Sequence, residues 1–292
     1  MMLIKLINQF IISKSLTVRP RTLEWYHYNL KPLSQALGQN VATQVTTEDL
    51  ETFLASQAPG RSQRTLEGFY TALHALFAWA LERGHIPANP MTSIKRPHAR
   101  RMLPEIFSDD QIRALLRAAD NRRDRAILLV FLDTGLRRNE LIHLDVENLD
   151  PEGGFLLVFD GKGGKDRYVP IGEAATAALR EMLIDHPRTG PLFQNCYGQR
   201  LKAGGLRSML LRIRERAGLT CRVHPHKFRH TFARNYLRRG DLESLRDILG
   251  HEDIRITAEI YGSFTRARLK EQHNRCSPVD HAAWEQLDPW GT

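Results

Sequence analysis

The sequence predicts a mainly α-helical chain with a small antiparallel β-sheet, divided into two domains. Three observations carry that expectation. Apolar residues recur at helical spacing through the first 95 residues, a basic stretch with two prolines follows, and the apolar period turns from helical to extended near residue 155 before helices resume. At 292 residues the chain exceeds one typical domain. The expected division is a helical domain at 1–95, a linker at 96–104 and a second domain at 105–292.

The opening MMLIKLINQFIIS is apolar but interrupted by Lys5, Asn8 and Gln9, and no small-residue cleavage site follows it. It reads as an amphipathic helix rather than a signal peptide. Leu23, Tyr26, Leu30, Leu33 and Leu37 form a second helical stripe, which Pro32 is expected to kink or divide. Thr46 and Thr47 open a helix over 48–56 by side-chain capping. Residues 64–83 make the clearest helix of this half, with Leu66, Phe69, Leu73, Leu76, Phe77 and Ala80 on one face and Gly84 as the stop.

The stretch KRPHARRMLP at 95–104 has two readings that can hold together: a solvated interdomain linker and a strap along phosphates. Ser108 and Gln111 then form a capping box ahead of Ile112, Leu115 and Leu116. An apolar helix over 125–132 ends at Gly135, and the turn TGLRRNEL holds Arg137 at the edge of a core. Residues 155–159 and 167–171 flank GKGGK, which reads as a β-hairpin with a glycine-rich tip. Helices follow over 173–184, 206–217, 226–239 and 242–249.

Forty-two Lys and Arg against 33 Asp and Glu give a net charge of +9, and a pI near 9.7 points to a polyanionic partner such as nucleic acid. The first 100 residues hold 11 basic and 6 acidic groups, so the excess is shared by both halves. Cys196, Cys221 and Cys276 are odd in number and form no CxxC pair, which argues against a disulfide framework or a structural zinc site. No apolar run reaches the roughly 20 residues of a membrane span.

The chemistry-bearing groups are individually ambiguous. GKGGK lacks the GxxxxGK[ST] order of a nucleotide-binding loop, which leaves a solvated turn or a hairpin that carries Lys162 into a groove. His226, Arg229 and His230 share a helix face, but the glutamate of HExxH and a third ligand are missing, so zinc is disfavoured and a buried His230 is the plain alternative. Leu249-Gly250-His251 ends a helix at a glycine, and Tyr261 lies ten residues beyond His251. A phenol of pKa about 10 is a poor nucleophile unless cations and a base support it.

Taken together, TGLRRNEL, GKGGKDR, HKFRH, LGHED and Tyr261, in this order, resemble the tyrosine recombinase family of phage integrases and Xer-type recombinases. The likeness extends to SQRTLEGFYTALHALFAWALERGHIPANP in the first half. It implies a two-domain DNA clamp: a SAM-like core-binding domain followed by an α+β catalytic domain. It implies Arg137, Lys162, His226, Arg229 and His251 as catalytic residues, Tyr261 as the nucleophile and Glu140 as a structural glutamate.

Further expectations come with the resemblance. No cofactor or metal is needed, the partner is double-stranded DNA at short core sites, and the enzyme is a tetramer on synapsed DNA and a monomer or weak dimer when free. A C-terminal exchange segment starts near residue 270, and the location is cytoplasmic, at the nucleoid. Among the departures from the family pattern, Phe228 replaces the usual leucine, and the interval from His251 to Tyr261 is one longer than in most Xer enzymes. The longer interval favours a mobile-element or plasmid enzyme. A catalytically idle DNA-binding protein of the same fold and a type IB-like topoisomerase are the alternatives.

Overall fold

A computed structural model describes residues 1–97, 104–159 and 166–250 of the chain. It separates into two compact units, Met1–Met102 and Leu103–Thr292. Among the described residues, no helix is long and apolar enough to cross a membrane.

The N-terminal unit is a helical bundle of α1 (Leu3–Ser15), α2 (Pro20–Leu37), α3 (Thr47–Ser56) and α4 (Gln63–Glu82). In α1, Leu3, Leu6, Ile7, Phe10 and Ile11 are buried, which is the spacing of one helix face. Phe10 meets Tyr26 and Trp79 edge-on at ring distances of 5.1 and 5.6 Å, joining α1 to α2 and α4. Pro32 does not divide its helix: α2 continues through it to Leu37. The carbonyl that loses its partner belongs to Tyr28, an exposed residue, so water can satisfy it. The Thr46 side chain accepts from Asp49 N while Asp49 accepts from Thr46 N at 2.9 Å, a reciprocal cap that fixes where α3 begins.

The C-terminal unit contains α5 (Asp109–Ala118), α6 (Arg122–Thr134), α7 (Arg138–His143), β1 (Leu149–Asp150), β2 (Phe155–Val158), β3 (Arg167–Pro170), α8 (Glu173–Met182), α9 (Ala203–Arg216), α10 (Pro225–Tyr236) and α11 (Leu242–Leu249). The strands form an antiparallel sheet in the order β1-β2-β3, with Leu156 opposite Val169 and Val158 opposite Arg167. The chain is therefore mainly helical with a small antiparallel sheet, and the sheet has one short strand more than the expected hairpin. Phe228 of α10 is fully buried between Phe107 and Phe131, at ring distances of 4.8 and 5.6 Å. That packing accounts for phenylalanine where the family usually has leucine, because an aromatic ring fills the gap between two others.

Candidate active site

The site is built where α6, α7, α10 and α11 end or begin. Gly135 closes α6 in the left-handed conformation at φ 61°, and a Cβ there would lie 2.4 Å from the Phe232 ring. Glycine thus permits both the turn and the close approach of α10. The turn puts Arg137 at the N-cap of α7, where Glu140 accepts from Arg137 N and from Arg137 Nη1, both at 2.7 Å. Arg137 Nη2 donates to Gly250 O at 3.1 Å, and the side chain keeps about a third of its surface open to solvent.

In α10, His224 is the N-cap and its ring accepts from Lys227 N at 3.3 Å, so one donor of the first turn is already occupied. Arg229, one turn further, is buried. Its Nη1 donates to Gly135 O and its Nη2 to Leu249 O, each at 2.8 Å. Thr231 binds Phe107 N at 2.9 Å, and the buried Lys227 lies 4.7 Å from the Phe107 ring and 3.4 Å from Glu105. These contacts pin the start of the unit against α10.

The C-terminal end of α11 completes the arrangement. Three successive carbonyls there have no intrahelical partner to satisfy them, and each receives a guanidinium. Arg167 takes Ile248 O at 2.9 Å, Arg229 takes Leu249 O and Arg137 takes Gly250 O. Cations at this helix end also meet the negative pole of the helix dipole. Gly250 is left-handed at φ 63°, which turns the chain out of the helix directly before residue 251.

Electrostatics follow from the packing. Burial alone would raise the Glu140 carboxyl, but the charge and hydrogen bond of Arg167, with the Arg137 hydrogen bonds, outweigh it and hold the group below the usual carboxylate range. His226 is lowered by burial first and then by the charges of Arg229, Arg138 and Arg137, which keeps it neutral and able to accept a proton. His230 is pushed down to about 4 by burial, with His226 and Arg229 adding to the effect. Two arginines on Glu140, with Arg229 at the same helix end, leave the region cationic.

The structure thus brings Arg137, Arg229 and the field of both onto His226. Lys162, His251 and Tyr261 lie outside the described residues, as do most of the basic stretch at 95–104 and the C-terminal exchange segment. Arg138 turns aside to Asn139 at 3.2 Å. Sequence reasoning missed Arg167. A signal was present, because Arg167 alternates with Val169 and Ile171 on the buried face of the strand, and a cation on that face needs partners.

Comparison with known proteins identifies the family. Residues 105–268 match the phage integrase family, and residues 7–84 match the phage integrase N-terminal SAM-like domain. The chain belongs to the phage integrase family. It is a tyrosine recombinase of the Xer/integrase type, an enzyme that cleaves and rejoins DNA strands. The tyrosine recombinase XerC of Xylella fastidiosa (strain M23) is 32% identical over 268 residues, 88% of this chain and 90% of that one. The tyrosine recombinase XerD of Listeria innocua serovar 6a is 32% identical over 245 residues, 79% of this chain and 82% of its own. Among solved structures, the Tn1549 transposon integrase in complex with circular intermediate DNA shares the fold at a TM-score of 0.81 and 20% identity, covering 94% of this chain and 99% of that one. A lambda integrase dimer bound to a COC′ core site does so at 0.77 and 19%, covering 88% and 97%.

Proposed function

We propose that the chain breaks one DNA strand at a time through a 3′-phosphotyrosine on Tyr261 and passes the freed end to a partner strand. The observation that carries this reading is the convergence of Arg137 and Arg229 on adjacent carbonyls at the end of α11. Two guanidiniums held by protein partners are donors fixed in place before the substrate arrives, which is what stabilises charge that develops only in the transition state. With His251 they would neutralise the non-bridging oxygens of the pentacovalent phosphorane.

His226, kept neutral by burial and by nearby cations, would take the phenolic proton as the Tyr261 oxygen attacks phosphorus. The P–O5′ bond breaks, Lys162 gives the leaving oxygen a proton, and the product is a 3′-phosphotyrosine beside a free 5′-hydroxyl. The reverse reaction with the partner strand's 5′-hydroxyl reseals the backbone and releases Tyr261. One phosphodiester replaces another, so no ATP is consumed, and the fixed cations take the place of a metal.

The domain division at 1–95 and 105–292, with the basic 96–104 strap, supports a clamp around double-stranded core sites, with a tetramer forming on synapsed DNA. The longer interval between His251 and Tyr261 supports a mobile-element or plasmid recombinase working in the cytoplasm at the nucleoid. An idle DNA-binding protein would have no need of a filled set of catalytic positions. The decisive experiment offers a nicked suicide substrate carrying the chain's core site to wild type and to Tyr261→Phe. Wild type should form a covalent adduct in the presence of EDTA, and Tyr261→Phe should bind the DNA and form none. An adduct retained by the variant would overturn the assignment.

A further inference from the structure

Arg167 holds Ile248 O through Nε at 2.9 Å and Glu140 Oε2 through Nη2 at 3.1 Å, with only 11% of its side chain exposed. Among the described residues, its Nη1 is buried without a hydrogen-bond partner. The guanidinium also lies against the backbone of Gly250, where an added Cβ would sit 3.0 Å from Cζ. A side chain placed this way has an electrostatic consequence for its neighbour. Glu140 already accepts from Arg137 at both oxygens, through Nη1 and through the backbone N–H. A carboxylate paired with Arg137 alone would cancel the charge that Arg137 has to offer a phosphate.

We propose that Arg167 is a positioning residue that spares Arg137: it neutralises Glu140 and fixes the α11 terminus, so that Arg137 keeps its orientation without losing its charge to the group that orients it. The proposal rests on the strand-transfer reading above. Arg167 also opens β3, so the strand that leaves the glycine-rich hairpin is tied to Glu140 and α11 by the same guanidinium.

The test measures single-turnover cleavage of the suicide substrate and DNA affinity, in the full chain, for Arg167→Gln, Arg167→Lys, Glu140→Gln and the double variant Arg167→Gln/Glu140→Gln. Thermal unfolding establishes the folded fraction of each. Arg167→Gln should lose roughly 10²-fold in cleavage rate, the scale of a misplaced or miscompensated catalytic group, with a much smaller change in affinity. Arg167→Lys keeps the charge but cannot reach both partners, and should lose roughly tenfold.

The double variant should cleave faster than Arg167→Gln, because it removes the uncompensated carboxylate, although Glu140→Gln alone slows the wild type. A purely structural role moves stability without this reversal of sign. A double variant no faster than Arg167→Gln, or a wild-type rate in Arg167→Gln, overturns the proposal. A wild-type rate in Arg167→Lys does so even where Arg167→Gln fails to fold. Failure of the wild type to form an adduct at Tyr261 would instead sink the reading of the site, and this proposal with it.

Discussion

Among its described residues the N-terminal unit buries one polar side chain, Asn29, whose amide donates to Trp25 O at 2.8 Å, whereas the C-terminal unit buries Asp124, Glu140, Lys227 and Arg229. Both units are basic, so composition does not separate them; the treatment of charge does. Removing an ion from water costs several kcal/mol even after relaxation, and a core does not need it. The N-terminal bundle is held by apolar faces and keeps its cations at the surface, as an electrostatic footprint for a polyanion requires. The C-terminal unit accepts the cost in part around the end of α11. There Arg137 and Arg167 pair with Glu140, and with Arg229 they take the helix-end carbonyls.

The strongest way to break this contrast is to remove a buried cation from the site. Arg229→Ala leaves Gly135 O and Leu249 O buried without donors, at about 1–3 kcal/mol each. It also removes a phosphate donor, so cleavage should fall at least about 10²-fold per folded molecule. Thermal unfolding and single-turnover cleavage read the two effects separately. If stability falls and cleavage does not, Arg229 is only a strut and the contrast loses its functional meaning.

Two glycines sharpen the contrast at lower cost. Gly84 and Gly135 both end helices with positive φ, at 70° and 61°. Around Gly84 nothing lies within 4 Å of an added Cβ, while at Gly135 the Phe232 ring and Leu249 are in the way. Gly84→Ala should therefore cost about 1–2 kcal/mol, the left-handed penalty alone. Gly135→Ala should add about 1–3 kcal/mol of overpacking and reduce cleavage, because Phe232 lies one turn beyond Arg229 in α10. Equal losses in calorimetry would mean that the site turn is no more tightly built than a surface turn.

Acid should distinguish the units next. His224, His226 and His230 all have lowered pKa values, burial being the first cause in each, and His230 falls to about 4. The unfolded chain then binds protons from about pH 6.5 downward while the folded unit resists them, so stability declines as pH falls through that range. Glu140 acts in the same direction from 4.5 downward, since its folded carboxyl is depressed and the stability it adds is lost as it protonates. Asp49, the corresponding case in the N-terminal unit, is held low by Thr46 hydrogen bonds at an exposed cap and begins to matter only below 3.8. Calorimetry of the full chain from pH 7 to pH 4 should show the C-terminal transition moving down first. A first loss in the N-terminal transition would contradict the assignment of buried histidines.

Much of this contrast was legible in the sequence, for reasons that particular residues make clear. Gly135 and Gly250 stood at the ends of apolar periods, so the two turns that place Arg137 and the end of α11 could be located. The pairing of Arg137 and Arg229 followed only from the family resemblance, because they are 92 positions apart in sequence, 137 to 229, and meet through backbone carbonyls that have no signature. Pro32 does not divide α2, because a helix can carry a proline where the orphaned carbonyl reaches water. Arg167 carries little signal in sequence, because the inward alternation of a single strand position is weak by itself beside the lysine and glycines of GKGGK.

The smallest predicted effect tests whether unit or solvent exposure sets the worth of a charge. Arg96 pairs with Glu67 at 2.9 Å in the N-terminal unit, and Arg216 pairs with Asp120 in the C-terminal unit. Each pair reaches solvent, with Glu67 the most covered of the four side chains, so attraction between them is screened and is offset by the entropy of holding two long side chains still. Arg96→Ala and Arg216→Ala should each leave the unfolding temperature within the scatter of replicate scans, and raising the salt should not widen the gap. If Arg216→Ala were clearly the more damaging, the C-terminal unit would depend on charge at its surface as well as in its site. The special status given to Glu140, Arg167 and Arg229 would then have to be shared with a pair that touches no phosphate donor.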